Sequence, residues 1–226
     1  MIIKDTLLVK NKMDENQLNI KDNQFDKIMH IYALAMKNVE EKINSINDDY
    51  KKIYKEDLVN HVKCRIKTPE SIIKKMISKN YQLTYKNLIE KVNDIAGVRV
   101  VCPYKFDVYE VIDIIREFDD WKIIKEKDYI TNPKKTGYTS YHIIVEVPVE
   151  FEGAKLYIKV EIQIRTMAMD FWATLEHEIK YKSNGTLNEK VSLELVTYAK
   201  IINKIDNRLM KLHSGKAKRK IELIGK

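Results

Sequence analysis

Residues 140–165 read SYHIIVEVPVEFEGAKLYIKVEIQIR, and this stretch contains the clearest structural signal in the chain. Apolar and polar side chains alternate over 155–165, which is typical of a β-strand because successive side chains point to opposite faces. A Phe-Glu-Gly turn at 151–153 separates this stretch from another apolar stretch. The pattern therefore predicts a β-hairpin with strands over 140–147 and 155–164.

Further strands and helices are predicted on both sides of the hairpin. From Ile28 to Ile53 the apolar residues recur at steps of three and four, which is typical of a long amphipathic helix. Thr68 and Pro69 suit the N-cap and first position of another helix. The remaining patterns predict strands near 62–66, 97–102 and 121–126, and helices over 84–92, 106–118, 166–182 and from about 187. This order predicts an α+β (or α/β) fold, in which a mixed sheet of about five strands is flanked by helices, with long helices at both ends.

The length and charge of the chain set further bounds. It has 226 residues, with 41 Lys+Arg, 33 Asp+Glu and a formal net charge of +8. A chain of this length can bury one good core, so we expect one domain over 23–210 with a loosely ordered arm at 1–22 and a basic tail at 211–226. The tail contains six cationic side chains and one acidic side chain, Glu222, so it holds most of the excess positive charge. Positive charge favours a polyanionic partner and leaves nucleic acid, a membrane surface and free nucleotides open.

Several classes of protein are excluded by what the sequence lacks. No apolar run approaches the ~18–20 residues that span a bilayer, and the first residues lack the apolar core of a signal peptide. Cys64 and Cys102 have no CxxC spacing, which excludes a zinc ribbon and favours a reducing cytoplasm. GxxxxGK[ST], GxGxxG and HExxH are absent, so a Walker-type ATPase and a zincin are excluded.

Two carboxylates are candidates for chemistry. Glu161 and Gln163 share the polar face of the predicted 155–164 strand, and this face is either solvated or lines a cleft. Asp94 precedes a buried strand, where a carboxylate either caps a turn or contributes to a metal site. Paired with Glu161, it would suit Mg²⁺, which prefers one or two carboxylates together with phosphate oxygens.

Cationic residues gather at two other places. Arg65 and Lys67 share a strand face just before a helix N-terminus, where unpaired N–H groups and the helix dipole favour an anion, although a solvated edge strand explains them equally well. Ser71 and Lys75 follow in the first turns of that helix. In the 131–137 loop, Lys134 and Lys135 suit either a phosphate grip or a solvated tip, and the nearby Tyr138 suits base stacking or core packing.

Taken together, these segments resemble the small alarmone synthetases, the single-domain members of the RelA/SpoT family. The resemblance covers roughly residues 25–210 and depends on segments that occur in the family's order: Arg65-Ile66-Lys67 with Ser71 and Lys75, Asp94 to Arg99, Asp128-Tyr129-Ile130, Gly137-Tyr138 with Ser140 and His142, Val160 to Thr166, and Phe171 to His177.

The resemblance implies a nucleotidyltransferase-like synthetase core and a cytoplasmic enzyme of the stringent response. Such a GTP pyrophosphokinase moves the β,γ-pyrophosphate of ATP to the ribose 3′-oxygen of GDP or GTP, with GMP as a further candidate acceptor, and releases AMP. Mg²⁺ is the implied cofactor, because many phosphate charges meet at the site. The sequence contains no His-Asp doublet of the kind that would suggest a metal-dependent phosphohydrolase. We therefore expect synthesis of the alarmone without its hydrolysis.

The family's functional residues can be placed on matching positions. The resemblance implies catalytic and metal-binding roles for Asp94 and Glu161. It implies ATP binding by Arg65, Lys67, Ser71, Lys75 and Arg99. It implies binding of the guanine nucleotide by Lys127, Lys134, Tyr138, His142 and Gln163.

The sequence departs from the family at some positions. Lys127 stands where many relatives have Arg, and Thr139 replaces the usual Arg, so the preferred acceptor stays open. The resemblance also implies a homotetramer built through the terminal helices. The positions matched to the central cleft of such tetramers, His61, Lys63 and Asp170, differ from the family pattern. An inactive relative that binds RNA or alarmone, and an enzyme that transfers a nucleoside monophosphate, remain as alternatives.

Overall fold

The structure, a computed structural model, describes residues 17–183 and 188–212. Most of the predicted arm and almost all of the basic tail therefore lie outside the described residues. At the described end of the arm, Leu18 is buried and its N–H donates to the carbonyl of Leu83 at 2.8 Å.

Eleven elements are described, and they agree in type and order with the sequence predictions. The helices are α1 (Asn23–Tyr54), α2 (Pro69–Ser78), α3 (Tyr85–Lys91), α4 (Lys105–Arg116), α5 (Met167–Lys182) and α6 (Glu189–Leu212). The strands are β1 (His61–Ile66), β2 (Ala96–Cys102), β3 (Lys122–Asp128), β4 (Tyr141–Phe151) and β5 (Ala154–Thr166). The Thr68 hydroxyl accepts from the Ser71 N–H, with Pro69 in the first turn, so the predicted N-cap of α2 is confirmed.

The strands form one mixed sheet in the order β1-β2-β5-β4-β3. Only the β2–β5 pair is parallel among these strands, and the other pairs are antiparallel. The β4–β5 turn at Glu152 and Gly153 has φ values of 49° and 76°, as a tight two-residue hairpin requires. The predicted five-stranded α+β fold is therefore confirmed, although both hairpin strands are longer than the sequence predicts.

One face of this sheet forms the main core. Val145, Val160 and Ile162 lie on it and are fully buried, as are Ala35 and Val39 of α1, which packs across the sheet. Burial of each of the valine and isoleucine side chains contributes about 1.5–3 kcal/mol. Because side chains alternate along a strand, the residues between these core positions point to the opposite face. None of the described helices combines the length and apolar character needed to cross a membrane.

Candidate active site

The face opposite the core carries two rows of polar residues that cross from strand to strand. In the first row, Arg65 of β1 lies opposite Gly97 of β2, which lies opposite Glu161 of β5. The second row is one step further along the strands and runs Lys63, Arg99, Gln163, His142. Paired residues point to the same face of a sheet, so the strand register brings together groups that are up to a hundred residues apart.

A cavity of about 320 Å³ opens on this face. Six of the sequence-predicted site residues line it: Arg65, Lys67, Asp94, Arg99, Glu161 and Gln163. The rest of the lining is Lys63, Cys64, Gly97 and Val98, so that four cations and two carboxylates face the cavity. Its size lies at the lower end of small-molecule sites, which run from about 300 to 1,000 Å³. The predicted residues outside this lining are Ser71, Lys75, Lys127, Lys134, Tyr138 and His142.

Asp94 lies at the edge of the cavity, in the loop before β2. Its Oδ2 contacts Lys75 Nζ at 2.7 Å and Lys67 Nζ at 3.1 Å. Burial alone would raise the pKa of Asp94, but these two ammonium groups outweigh it and lower the pKa below its usual value. The other oxygen, Oδ1, is buried and has no hydrogen-bond partner within residues 17–183 and 188–212. A buried carboxylate oxygen without a partner is unusual and suits a ligand.

Glu161 is held by its neighbours on the same face. Its Oε2 accepts from Gln163 Nε2 at 2.7 Å, and its Oε1 lies 3.4 Å from His142 Nδ1. Burial alone would raise the pKa of Glu161, but the hydrogen bond and charge of His142, together with Gln163, outweigh it and lower the pKa. The carboxylate is therefore ionised at neutral pH.

The two carboxylates fit a shared magnesium ion. Both line the same cavity, and the charge of Asp94 opposes ionisation of Glu161. No group of three or more acidic, His or Cys side chains that could hold a metal occurs in the described part of the chain. Mg²⁺ does not need one, since it usually takes one or two carboxylates and completes its octahedron with water and phosphate oxygens. The unpartnered Oδ1 of Asp94 supplies a free ligand atom.

The predicted ATP side is assembled in part. Arg65, Lys67 and Arg99 line the cavity, and Lys75 joins them through its contact with Asp94. Ser71 lies in the first turn of α2, outside the cavity lining, where its hydroxyl accepts from that of Thr68 at 2.9 Å. The cationic side chains predicted to bind ATP therefore lie around the cavity that Asp94 lines, and two of them, Lys67 and Lys75, contact Asp94 directly.

The predicted acceptor side lies beyond Glu161. Tyr138 Oη lies 2.8 Å from His142 Nε2, and the two rings meet edge to face. Lys134 Nζ lies 4.6 Å from the centre of the Tyr138 ring and 4.7 Å from that of Tyr129. Lys127 is further out, 5.8 Å from the Tyr129 ring. One face of Tyr138 is therefore covered by an ammonium group.

Two charged residues beneath the site were missed as site residues. Arg165 has the polar parity of Glu161, but it is only 1% exposed, so at this position the face is not solvated. Its Nη1 lies 3.3 Å from Asp170 Oδ1, which also contacts Arg99 Nη1 at 3.2 Å. From the sequence, Asp170 is matched only to the central cleft of a tetramer. The parity of Arg165 was visible in the sequence, but its burial was not.

This arrangement defines a class of site. Four cations around two low-pKa carboxylates suit a polyphosphate together with a divalent metal, which is the electrostatic requirement of phosphoryl transfer. Known proteins with similar sequences belong to the same class. A model described as the region found in RelA / SpoT proteins matches residues 64–186.

Individual relatives extend this match over most of the chain. GTP pyrophosphokinase YwaC of Bacillus subtilis is 39% identical over 180 residues, which cover 80% of this chain and 86% of that relative. GTP pyrophosphokinase YjbM of the same organism is 33% identical over 193 residues, covering 84% and 89%. The chain therefore belongs to the RelA/SpoT family, and the resemblance inferred from its motifs is confirmed.

Solved structures of the same family match this fold. A GTP pyrophosphokinase family protein from Streptococcus pneumoniae matches with a TM-score of 0.80 and 35% identity, covering 88% of this chain and 97% of that one. Small alarmone synthetase 1 from Bacillus subtilis, bound to its product pppGpp, matches with a TM-score of 0.80 and 31% identity, covering 86% and 98%.

Proposed function

We propose that this protein is a Mg²⁺-dependent pyrophosphokinase that transfers the β,γ-pyrophosphate of ATP to the ribose 3′-oxygen of GDP or GTP. The products are AMP and (p)ppGpp. The observation that carries the proposal is the convergence of Asp94 and Glu161 with four cations around one cavity. The names and bound product of the relatives support it.

The ATP side supplies charge and stacking surfaces. Lys67 and Lys75 contact Asp94, and by binding ATP phosphates they release this carboxylate. Arg65 and Arg99 hold the adenine between their guanidinium planes, and guanidinium groups stack well on aromatic rings. Ser71, at the helix N-terminus, adds a hydroxyl and the dipole of α2 for phosphate oxygens.

The acceptor side depends on a movement of Lys134. Tyr138 stacks on guanine once the Lys134 ammonium leaves the ring, and the same ammonium then meets the acceptor's phosphates. Lys127 and His142 add further contacts to the acceptor, and Gln163 holds Glu161 in place. Lys127 offers a single ammonium charge, whereas an Arg would offer a bidentate guanidinium contact to phosphate. This difference weakens selection between GDP and GTP.

The reaction joins the acceptor 3′-oxygen to the β-phosphorus. As that bond forms, the bond from this phosphorus to the α,β-bridging oxygen breaks, and the electron pair leaves with AMP. Glu161 orients the 3′-hydroxyl and takes its proton. Because the pKa of Glu161 is lowered, it is a weak base, so the proton moves late, when the attacking oxygen has become acidic. Asp94 and Glu161 would hold Mg²⁺, which would stabilise the charge on the phosphate oxygens.

A labelling assay tests this function. The protein is incubated with γ-labelled ATP, Mg²⁺ and GMP, GDP or GTP in turn, and the nucleotides are separated by chromatography. Labelled guanine nucleotide together with AMP is the expected result. Release of pyrophosphate would show transfer of a nucleoside monophosphate instead. RNA binding without AMP release would show a binding protein. Labelled product that stays intact would support synthesis without hydrolysis.

Gly97 forms part of the cavity floor, and a methyl group there tests the location of the nucleotide site. A Cβ at this position would come no closer than 3.6 Å to the Arg65 carbonyl, which is an ordinary contact. We therefore expect Gly97→Ala to leave stability unchanged or slightly raised, as Ala replaces Gly in a strand. The methyl reduces room between Arg65 and Glu161, so the KM for ATP should rise about tenfold. Unchanged steady-state kinetics in a folded variant would contradict this placement.

The proposed homotetramer is supported by an apolar stripe on α6. Tyr198, Ile201, Ile205 and Leu209 are about half exposed at helical spacing, and Leu212 is 85% exposed. Large exposed apolar patches commonly mark interfaces. We expect the double substitution Ile201→Lys and Ile205→Lys to reduce the mass measured by light scattering, because each added ammonium would have to be buried. A monomeric unsubstituted protein would remove the proposal.

A further inference from the structure

Arg165 is an unusual residue for the end of a central strand. It is the largest of the fully buried side chains among the described residues, and its guanidinium contacts Tyr138 on one side and Asp170 on the other. Burial lowers the pKa of this guanidinium, as does the charge of Arg99, and the Asp170 carboxylate opposes the shift. A buried charge is costly unless its hydrogen bonds are made, so its partners define its role.

On one side, Arg165 holds groups of the acceptor subsite. Its Nη2 donates to Tyr138 Oη at 2.8 Å and to Gln163 Oε1 at 2.6 Å. Gln163 in turn donates to Glu161, and Tyr138 contacts His142. One guanidinium nitrogen therefore fixes the stacking ring and, through Gln163, the orientation of the catalytic carboxylate.

On the other side, Arg165 is joined to the ATP subsite through Asp170. Arg165 Nη1 and Arg99 Nη1 lie 3.3 Å and 3.2 Å from the same oxygen, Oδ1 of Asp170. Lys63 lies further away, at 4.0 Å from Oδ2, and is largely exposed. Asp170 is 7% exposed, so its charge is satisfied mainly by the two arginines.

We propose that Arg165 and Asp170 form a buried positioning pair that couples Arg99 on the ATP side to Tyr138 on the acceptor side. The inference rests on the proposed function. The Arg99 guanidinium contacts Asp170, and the Tyr138 hydroxyl accepts from Arg165. A nucleotide that moves Arg99 or Tyr138 therefore also moves the shared pair, so the second nucleotide meets groups that are already displaced toward the bound arrangement. Each nucleotide should therefore raise the affinity for the other.

The coupling can be measured without turnover. The affinity for ATP with a methylene group in place of the α,β-bridging oxygen is measured by calorimetry with Mg²⁺, in the absence and presence of saturating GDP. We expect GDP to tighten binding of this analogue about tenfold, within the usual range of coupling between sites. In Arg165→Met the ratio of the two affinities should fall to about one.

A second variant guards against misfolding of Arg165→Met. Tyr138→Phe keeps the stacking ring and removes only the hydroxyl that Arg165 and His142 contact. Tyr138→Phe should still bind GDP alone, but the ratio of the two analogue affinities should fall most of the way to one. Its kcat should fall by a larger factor than its KM rises. Asn47→Ala is the stability control, since Asn47 accepts from the N–H groups of Leu58 and Val59, and it should keep the full ratio.

The outcomes separate the inference from the proposed function. An unchanged ratio in Tyr138→Phe, or a ratio of one in the unsubstituted protein, would overturn the coupling even if product forms normally. Nucleotide binding with coupling but no labelled product would overturn the proposed reaction and leave the coupling standing. Loss of the ratio in Asn47→Ala would reduce Arg165 and Asp170 to a purely structural role.

Discussion

Glu161→Gln should reduce formation of the 3′-pyrophosphorylated product by about a thousandfold or more, since it removes a metal ligand and the proton acceptor together. The amide has nearly the shape of the carboxylate, and its oxygen can still accept from Gln163 Nε2. The fold should therefore persist while the negative charge is lost. The measurement is the labelling assay, with thermal unfolding to confirm the fold.

The same substitution has a defined effect on the pH dependence of stability. The folded pKa of Glu161 is lowered, so its stabilising contribution is complete above its ordinary pKa, near 4.5, and is lost as pH falls through the folded value. The difference in unfolding free energy between the unsubstituted protein and Glu161→Gln should therefore be largest at neutral pH and should shrink in acid. A constant difference would show that Glu161 is not held by charge.

Glu150→Gln provides the matched control. Glu150 lies on the neighbouring strand, opposite Lys155 near the hairpin turn, and is exposed. It undergoes the same chemical change far from the cavity, so its activity should equal that of the unsubstituted protein. If Glu161→Gln forms product at the rate of this control, the assignment of the catalytic carboxylate is wrong.

The strand pattern allowed much of the site to be predicted. Alternation along 155–165 places Glu161 and Gln163 on one face whatever the rest of the fold, because the side-chain period of a strand is two. The same rule places Arg65 with Lys67. How these faces meet depends on the register between β1, β2 and β5, which involves residues far apart in the chain. A single sequence does not state that register, and family motifs were needed to connect the segments.

The layer beneath the site could not be predicted. Arg165 continues the polar alternation, so local pattern assigns it to an exposed face, whereas its contact with Asp170 of α5 buries it. The cover of Lys134 over the Tyr138 ring also depends on loop conformation. In both cases burial is decided by tertiary contacts that the strand period does not contain.

Gly137→Ala should be the most disruptive single-methyl change near the acceptor subsite. Gly137 has a φ of +89°, and a Cβ there would lie 2.5 Å from the Cβ of Ala199 in α6. Gly137 also closes the turn that carries Lys134, since its N–H donates to the Lys134 carbonyl at 2.8 Å. The added methyl must push this turn away from α6, so we expect a loss of about 2–4 kcal/mol in unfolding free energy from strain and overpacking together.

The effect on catalysis should be selective. The turn is bonded to Tyr138, whose carbonyl accepts from the Lys134 N–H at 3.1 Å, so its displacement moves both groups of the proposed acceptor subsite. The KM for GDP should rise about tenfold or more, because misplacement by an ångström at a positioned site commonly costs that much. The KM for ATP should change much less. Equal changes in both KM values would show general loosening instead.

Two further variants separate the causes of the instability. Gly153→Ala introduces a methyl group at a φ of +76° with no atom within 4 Å, so it reports backbone strain alone, about 1–2 kcal/mol. Ala199→Gly removes the atom that the new Cβ would strike, so in that background Gly137→Ala should cost no more than Gly153→Ala. A cost that stays unchanged by Ala199→Gly would show that α6 does not support the acceptor loop. Because α6 also carries the exposed apolar stripe, a supporting contact at Ala199 would place the acceptor subsite and the proposed oligomer interface on two sides of one helix.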